Sequence, residues 1–175
     1  MLWIGGLRVE LLIFSDSHGK GNRMQLAIDR QVTPIDAVVF LGDGLRDADH
    51  LWTNGATLFG VRGNCDWFSD VDAEVEMTIQ MEGHRIFLTH GHAYGVKGGI
   101  GALIARAAEL NADIVLFGHT HTPLCETIPK GTTVDGKPLA RPMYLFNPGS
   151  IGEASASFGT LSMTQDVVLF SHGEI

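Results

Sequence analysis

Cysteine is scarce in this chain. Cys65 and Cys125 are its two cysteines, and no CxxC pair occurs, which argues against a disulfide framework or a structural zinc knuckle and fits a reducing cytoplasm. Positive charge is scarce as well. Lys and Arg number 12 against 20 Asp and Glu, a net charge of −8, whereas a protein that grips a long nucleic acid by its phosphates needs many basic contacts. Apolar runs stay short, and none approaches the ~20 residues of a membrane-spanning helix. The opening "MLWIGGLR" lacks the charged start of a secretory signal; residues 1–7 read as a frayed extension ahead of the first strand. A chain of 175 residues suits one domain with a sizeable core and would be cramped for two. Residues 1–175 are therefore read as one domain, without internal repeat or linker.

Histidine, by contrast, is plentiful at eight residues. Five of them (His18, His90, His92, His119 and His121) sit beside glycines or in alternating pairs. In "LFGHTH" (116–121) an apolar run ends in glycine and two histidines spaced i, i+2, which an extended backbone would point to one side. His50, His84 and His172 match no such pattern and read as surface or turn residues.

The periodicities order the elements. "RVELLIF" (8–14) predicts a strand, residues 22–32 a helix, "DAVVFLGDG" a second strand, 45–52 a short helix and "TLFGVRGN" a third strand. This βαβαβ run implies a parallel sheet with right-handed crossovers. "EVEMTIQ" and "HRIFLTHG" form a hairpin across Glu82-Gly83. Residues 99–110 read as a helix stopped by Asn111. "DIVLFGHTH" is a further strand, 125–141 a polar loop region, and "MYLFN", "GTLSMT" and "DVVLF" are terminal strands that suggest a second sheet packed on the first.

Five apolar runs end in a polar motif: Asp16-x-His18, Gly42-Asp43, Gly63-Asn64, His90-Gly91-His92 and Gly118-His119-Thr120-His121. Ligand crevices of open α/β sheets lie outside the carboxyl ends of the strands. Parallel strands would bring the first, second, third and "GHTH" ends to one edge. Exposure alone would favour Ser, Asn, Lys and Glu at such exits, not aspartate and histidine beside glycine. Asp16, His18, Asp43, Asn64, His90, His119 and His121 supply enough donors for two ions if one carboxylate bridges. Imidazole-rich sets favour Mn, Fe, Zn or Ni over Mg or Ca, and two ions ~3.5–4 Å apart suit phosphate-ester hydrolysis.

Read together, "DSH", "GDG", "GNCD", "THGH", "GHTH" and the later Asn147-Pro148-Gly149-Ser150 resemble the calcineurin-like metallophosphoesterases, in their small single-domain prokaryotic phosphodiesterase branch. The likeness runs from residue 8 to about residue 170. It implies an α/β fold of two facing mixed β-sheets flanked by helices. It also implies one ion held by Asp16, His18, Asp43 and His121 and a second by Asp43, Asn64, His90 and His119. Asp43 would be the bridge and a metal-bridging hydroxide the nucleophile. Mn is the foremost choice of ion, with Ni, Zn or Fe as alternatives. The implied activity is hydrolysis of small aryl or nucleotide-type phosphodiesters in the cytoplasm, without long nucleic acid or membrane. A phosphomonoesterase on the same site is the runner-up. A non-catalytic scaffold like the retromer-subunit relatives is a third reading, disfavoured because all seven ligand positions are filled. Homodimers or higher homo-oligomers are compatible with the exposed loop 125–141.

Where larger relatives carry a histidine after the asparagine, this chain has Cys65. A thiol, with an ordinary pKa near 8.5, is an indifferent acid, which predicts a preference for activated esters; Cys65 either touches substrate or is a small buried hydrophobe. His92 is the candidate to contact a phosphoryl oxygen or donate a proton, with a supporting hydrogen-bond role as the alternative. Asp66 reads as a helix cap, with orienting a ligand as the alternative. Trp67 and Phe68 either stack on an aromatic group of the substrate or cover the core.

Overall fold

The structure is a computed structural model and describes residues 8–175; the extension expected at 1–7 lies outside the described residues. Twelve strands and three helices follow in the order β1 (Val9–Phe14), α1 (Gly21–Asp29), β2 (Ala37–Phe40), α2 (Leu45–Asp49), β3 (Thr57–Gly60), β4 (Glu76–Met81), β5 (His84–Thr89), α3 (Gly101–Glu109), β6 (Ile114–Phe117), β7 (Leu124–Ile128), β8 (Thr133–Val134), β9 (Lys137–Pro138), β10 (Met143–Asn147), β11 (Ser157–Met163) and β12 (Val168–Glu174). A single 3-10 turn spans His92–Tyr94. No helix of the described residues is long and apolar enough to cross a membrane.

Two five-stranded sheets run in the orders β12-β11-β1-β2-β3 and β4-β5-β6-β10-β7. Both are mixed: β1, β2 and β3 are parallel in the first, β5, β6 and β10 in the second, and the remaining pairings are antiparallel. Alternation along the central strands explains the layering, since successive side chains leave a strand on opposite faces. Leu11 and Ile13 of β1, Ala37 and Val39 of β2, and Ile114 and Leu116 of β6 meet in one core between the sheets. Their neighbours Leu12, Phe14, Val38 and Phe40 turn the other way onto Met24, Ala27 and Ile28 of α1 and Leu45 of α2. Val115 and Phe117 turn onto Leu103 and Ala107 of α3. The result is helix, sheet, sheet, helix, with strands apolar on both faces. Each fully buried aliphatic or Phe side chain contributes about 1.5–3 kcal/mol of transfer free energy.

Four expectations need correction. The terminal strands do not make a sheet of their own: β11 and β12 extend the first sheet beside β1, while β10 inserts between β6 and β7 of the second. The region 125–141 is not a plain loop, for it carries most of β7 and the β8–β9 hairpin. Strand β7 is an edge strand whose middle residues are exposed, so it lacks the buried alternation that marks the inner strands. The "GHTH" exit belongs to the second sheet and not to the edge of the first. Finally, α1 stops at Asp29, with Arg30 as its C-cap.

Candidate functional site

The carboxyl ends of β1, β2, β3, β5 and β6 meet across the two sheets, and the backbone ties them directly. Asp16 N–H donates to Gly42 O (2.9 Å), His18 N–H to Asp43 O (3.1 Å) and Gly118 N–H to His90 O (3.1 Å). Sheet joins sheet where His119 N–H donates to Asp16 Oδ2 at 3.0 Å and His90 Nδ1 meets Leu41 O at 2.7 Å. Room for this convergence depends on small residues. A Cβ on Gly42 would lie 2.6 Å from Gly63 N, and one on Gly118 would lie 3.0 Å from Asp16 Oδ2.

The exits are also bent. Asp16, His18, Asp43, His119 and His121 all adopt positive φ, between 46° and 67°, a region uncommon for residues other than glycine. This overturns the extended reading of "GHTH". The kinked backbone sends His119 and His121 to two different clusters instead of one point. His121 joins Asp16 and His18, whereas His119 joins Asp43 and His90; a third group places Cys65 beside His18 and Asp43.

In the first cluster Asp16 Oδ1 lies 3.1 Å from His121 Nε2 and 3.9 Å from His18 Nε2. That oxygen is buried and lacks a hydrogen-bond partner, a costly arrangement for a carboxylate unless a cation serves it. In the second cluster His90 Nε2 lies 3.1 Å from His119 Nδ1, 3.2 Å from Asn64 Oδ1 and 3.4 Å from Asp43 Oδ2. His90 Nδ1 donates to the Leu41 carbonyl, so Nε2 faces a group of acceptors. Burial alone would lower the His90 pKa, yet hydrogen bonding to Asp43 and the charges of Asp16 and Asp43 raise it. For Asp43 burial works upward, but the bonds from His90 and the Cys65 N–H hold its carboxyl well below the usual range. His119 falls to about 4 through burial and the positive His90. Several acceptors thus compete for one proton, and a divalent cation at the same focus would satisfy all of them. The donor set fits metal ions.

Asp43 is common to two of the groups, and its Oδ1 accepts the Cys65 N–H at 2.7 Å. Burial, the hydrogen bond to Asp43 and the surrounding carboxylates push the Cys65 thiol up to about 11. It is exposed, so the buried-hydrophobe alternative falls away. His92 opens the 3-10 turn with its ring 5.4 Å from His90 and 6.2 Å from His119. Its pKa is lowered by burial and by His90, and its Nδ1 is buried without a partner.

The sequence reading missed several supports. Glu153 Oε1 lies 2.8 Å from His121 Nδ1, which orients the ring and leaves Nε2 facing Asp16. Asp47 Oδ2 accepts from Ser17 Oγ (2.6 Å) and Gly19 N–H (2.8 Å), bracing the Asp16-x-His18 turn. Asn147 Nδ2 donates to Gly118 O (2.9 Å) and Ser150 Oγ to Asp16 O (2.9 Å), so "NPGS" pins both exits. Elsewhere, His84 is not a surface residue: it is buried between Asp113 Oδ2 (2.8 Å) and Thr164 O (3.0 Å). His172 stacks on Phe146 at 4.5 Å. His50 is exposed as expected. A cleft of about 890 Å³ lies around His84, Arg85, Asp113, Lys137 and Arg141. It contains none of the clustered imidazoles, and Asp113 there is already paired with His84 and the Arg85 N–H.

Facing mixed sheets with a histidine–aspartate focus at their strand exits define a metallophosphoesterase type of architecture. Residues 9–167 match the calcineurin-like phosphoesterase superfamily domain, and the chain belongs to that superfamily. It is 32% identical over 143 residues to the probable metallophosphoesterase YsnB of Bacillus subtilis, covering 82% of this chain and 75% of that protein. It is 33% identical over 117 residues to phosphodiesterase YfcE of Escherichia coli K12, covering 59% of this chain and 52% of YfcE. Among solved structures, a conserved uncharacterized protein of Streptococcus pneumoniae TIGR4 superposes with a TM-score of 0.71 at 24% identity, covering 98% of this chain and 100% of that one. A single mutant of Vps29 from Entamoeba histolytica superposes at 0.69 with 23% identity over 95% and 99% of the two chains. These two likenesses concern the fold alone.

Proposed function

We propose that this chain is a binuclear metal-dependent phosphodiesterase acting on small aryl or nucleotide-type phosphodiesters. One ion would be held by Asp16, His18, Asp43 and His121 and the other by Asp43, Asn64, His90 and His119, with Asp43 shared. The observation that carries this reading is the buried, unpartnered Asp16 Oδ1 beside a focus where His90 Nε2 and His119 Nδ1 stand 3.1 Å apart. Imidazole and carboxylate together favour Mn, Ni, Zn or Fe, and Mn is our first choice. Such a pair of ions, when bound, lowers the pKa of water and polarises the phosphoryl oxygen.

The chain's own groups do the rest. Glu153 fixes the His121 tautomer, and the Leu41 carbonyl fixes that of His90. His92, whose pKa is lowered by burial and by His90, offers a ring N–H to a phosphoryl oxygen. A thiol such as Cys65 is a weak donor to a departing oxygen, which favours good leaving groups such as aryl alcohols. Identity to YfcE supports the diester over the monoester. The complete set of candidate ligands weighs against a scaffold reading.

The test is hydrolysis by metal-stripped protein given Mn, Ni, Zn or Mg separately, with bis-p-nitrophenyl phosphate compared against p-nitrophenyl phosphate. Mn should restore turnover with the diester ahead. A faster monoester would favour the phosphomonoesterase, and silence with every ion would leave the scaffold reading.

A further inference from the structure

The loop that carries Asn64 and Cys65 continues into Asp66-Trp67-Phe68, and the structure decides what the two aromatic rings do. They do not cover the core: Trp67 is 67% exposed and Phe68 94% exposed. The segment that carries them is tied down by several hydrogen bonds. The Asp66 carboxylate accepts the N–H groups of Asp43, Gly44, Leu45 and Gly63. Arg62 donates to the carbonyls of Asp66, Val71 and Ala73, at 2.7, 3.0 and 3.1 Å. Arg46 reaches the Phe68 carbonyl at 3.3 Å and the Asp70 carboxylate at 2.9 Å. Val71 and Ala73 then pack onto the core beneath α1 and α2. The backbone is held while both rings face solvent, so little further backbone freedom would be lost when something stacks on them.

Their position says what that something is. Two peptide units separate the Cα of Trp67 from that of Cys65, and three separate Phe68, so both lie within roughly 11 Å of it at ~3.8 Å per unit. Cys65 itself stands beside His18 and Asp43 in the candidate metal groups. The ester substituent of a phosphoryl group at the focus would therefore lie within reach of this segment of chain. The nearby Arg46 is engaged with Asp70 rather than with the rings. A planar, apolar-faced substituent suits such a surface, since stacking on aromatic side chains tolerates any base.

We propose that Trp67 and Phe68 form a stacking platform for a nucleobase or aryl group on the substrate, making them specificity-determining residues. This rests on the phosphodiesterase reading and narrows it to diesters whose retained substituent, the one that does not leave, carries a flat aromatic group. The leaving group is not what the platform reads, so the test holds it constant. The Mn-loaded protein is given the p-nitrophenyl ester of thymidine monophosphate and methyl p-nitrophenyl phosphate, which release the same p-nitrophenol. In the double variant Trp67→Ala/Phe68→Ala the ratio of kcat/KM, nucleoside ester over methyl ester, should fall at least about fivefold, through KM, by the usual worth of a base–aromatic stack. The conservative pair Trp67→Phe/Phe68→Tyr should retain most of it. Calorimetric titration with thymidine monophosphate and with inorganic phosphate gives a second readout free of turnover; the ratio of those affinities should fall in parallel. Both substitutions remove exposed side chains, so folding is expected to survive. If neither ester is hydrolysed, the phosphodiesterase reading falls while the titrations still judge the platform. Ratios unchanged within twofold in the double variant overturn the platform.

Discussion

Asp66 shows how much of the site depends on a residue that need not touch an ion. Its carboxylate accepts the N–H of Asp43 at 2.8 Å, Gly44 at 2.8 Å, Leu45 at 3.0 Å and Gly63 at 2.9 Å. It thereby caps α2 from outside the helix and locks two strand exits together. Asp66→Ala would leave several buried donors unpaired at about 1–3 kcal/mol each. A stability loss of about 3 kcal/mol or more is expected in urea unfolding, together with fewer bound ions per chain, because the backbone of Asp43 is no longer held. Asp66→Asn keeps one acceptor oxygen and should lose less. A loss under about 1 kcal/mol in the alanine variant would show that water replaces the carboxylate. The capping role was legible from the sequence; the partners were not. The same divide runs through the rest of the site. Asp16, His18, Asp43, Asn64, His90, His119 and His121 stand out by residue type beside glycine. Glu153 and Asp47 look like ordinary surface acids until folding brings them to His121 and Ser17.

Between elements, a tie links the His92 turn to the second sheet and to α3. Glu76 of β4 accepts from Arg106 of α3 at 2.7 Å and from the hydroxyl of Tyr94 in the turn. Burial works to raise the Glu76 pKa, but the bonds from Arg106 and Tyr94 outweigh it and hold the carboxyl below its ordinary value. A depressed carboxylate contributes stability above its unfolded pKa, near 4.3, and loses it as pH falls through the lower folded value. Glu76→Gln should therefore lower the unfolding free energy at pH 7, by up to about 1 kcal/mol given that the pair is partly open to solvent. The gap to the unmodified chain should be full above about pH 5 and shrink as the pH falls below about 4. A gap that holds or widens in acid would mean packing, not charge, is at stake. Periods of 2 and 3.6 make the existence of these elements readable in advance. Partnership is another matter. Both β10 and β11 are readable as strands, yet one pairs with β6 and the other with β1, because pairing is settled by long-range packing that local periodicity does not encode.

At the scale of the whole molecule, the proposed ion sites are seams between the two sheets. Asp16, His18, Asp43 and Asn64 leave the first sheet, and His90, His119 and His121 leave the second. Each proposed ion would draw ligands from both, so binding requires the folded chain and stabilises it by linkage. At an Mn concentration about 100 times Kd, the gain is about 2.7 kcal/mol per site. For a chain of this size that is a rise in Tm of roughly 5–10 °C. Mg, which prefers all-oxygen shells, should give a smaller shift at the same concentration. Asp43→Asn is the discriminating variant, since Asp43 belongs to both proposed ligand sets. It should abolish most of the Mn-induced shift, whereas loss of His121 alone should leave the second set's share. A full-sized shift in Asp43→Asn would put the ions somewhere other than the seam, and the absence of any shift with Mn, Ni or Zn would mean that the unpartnered oxygen of Asp16 is met by the solvent.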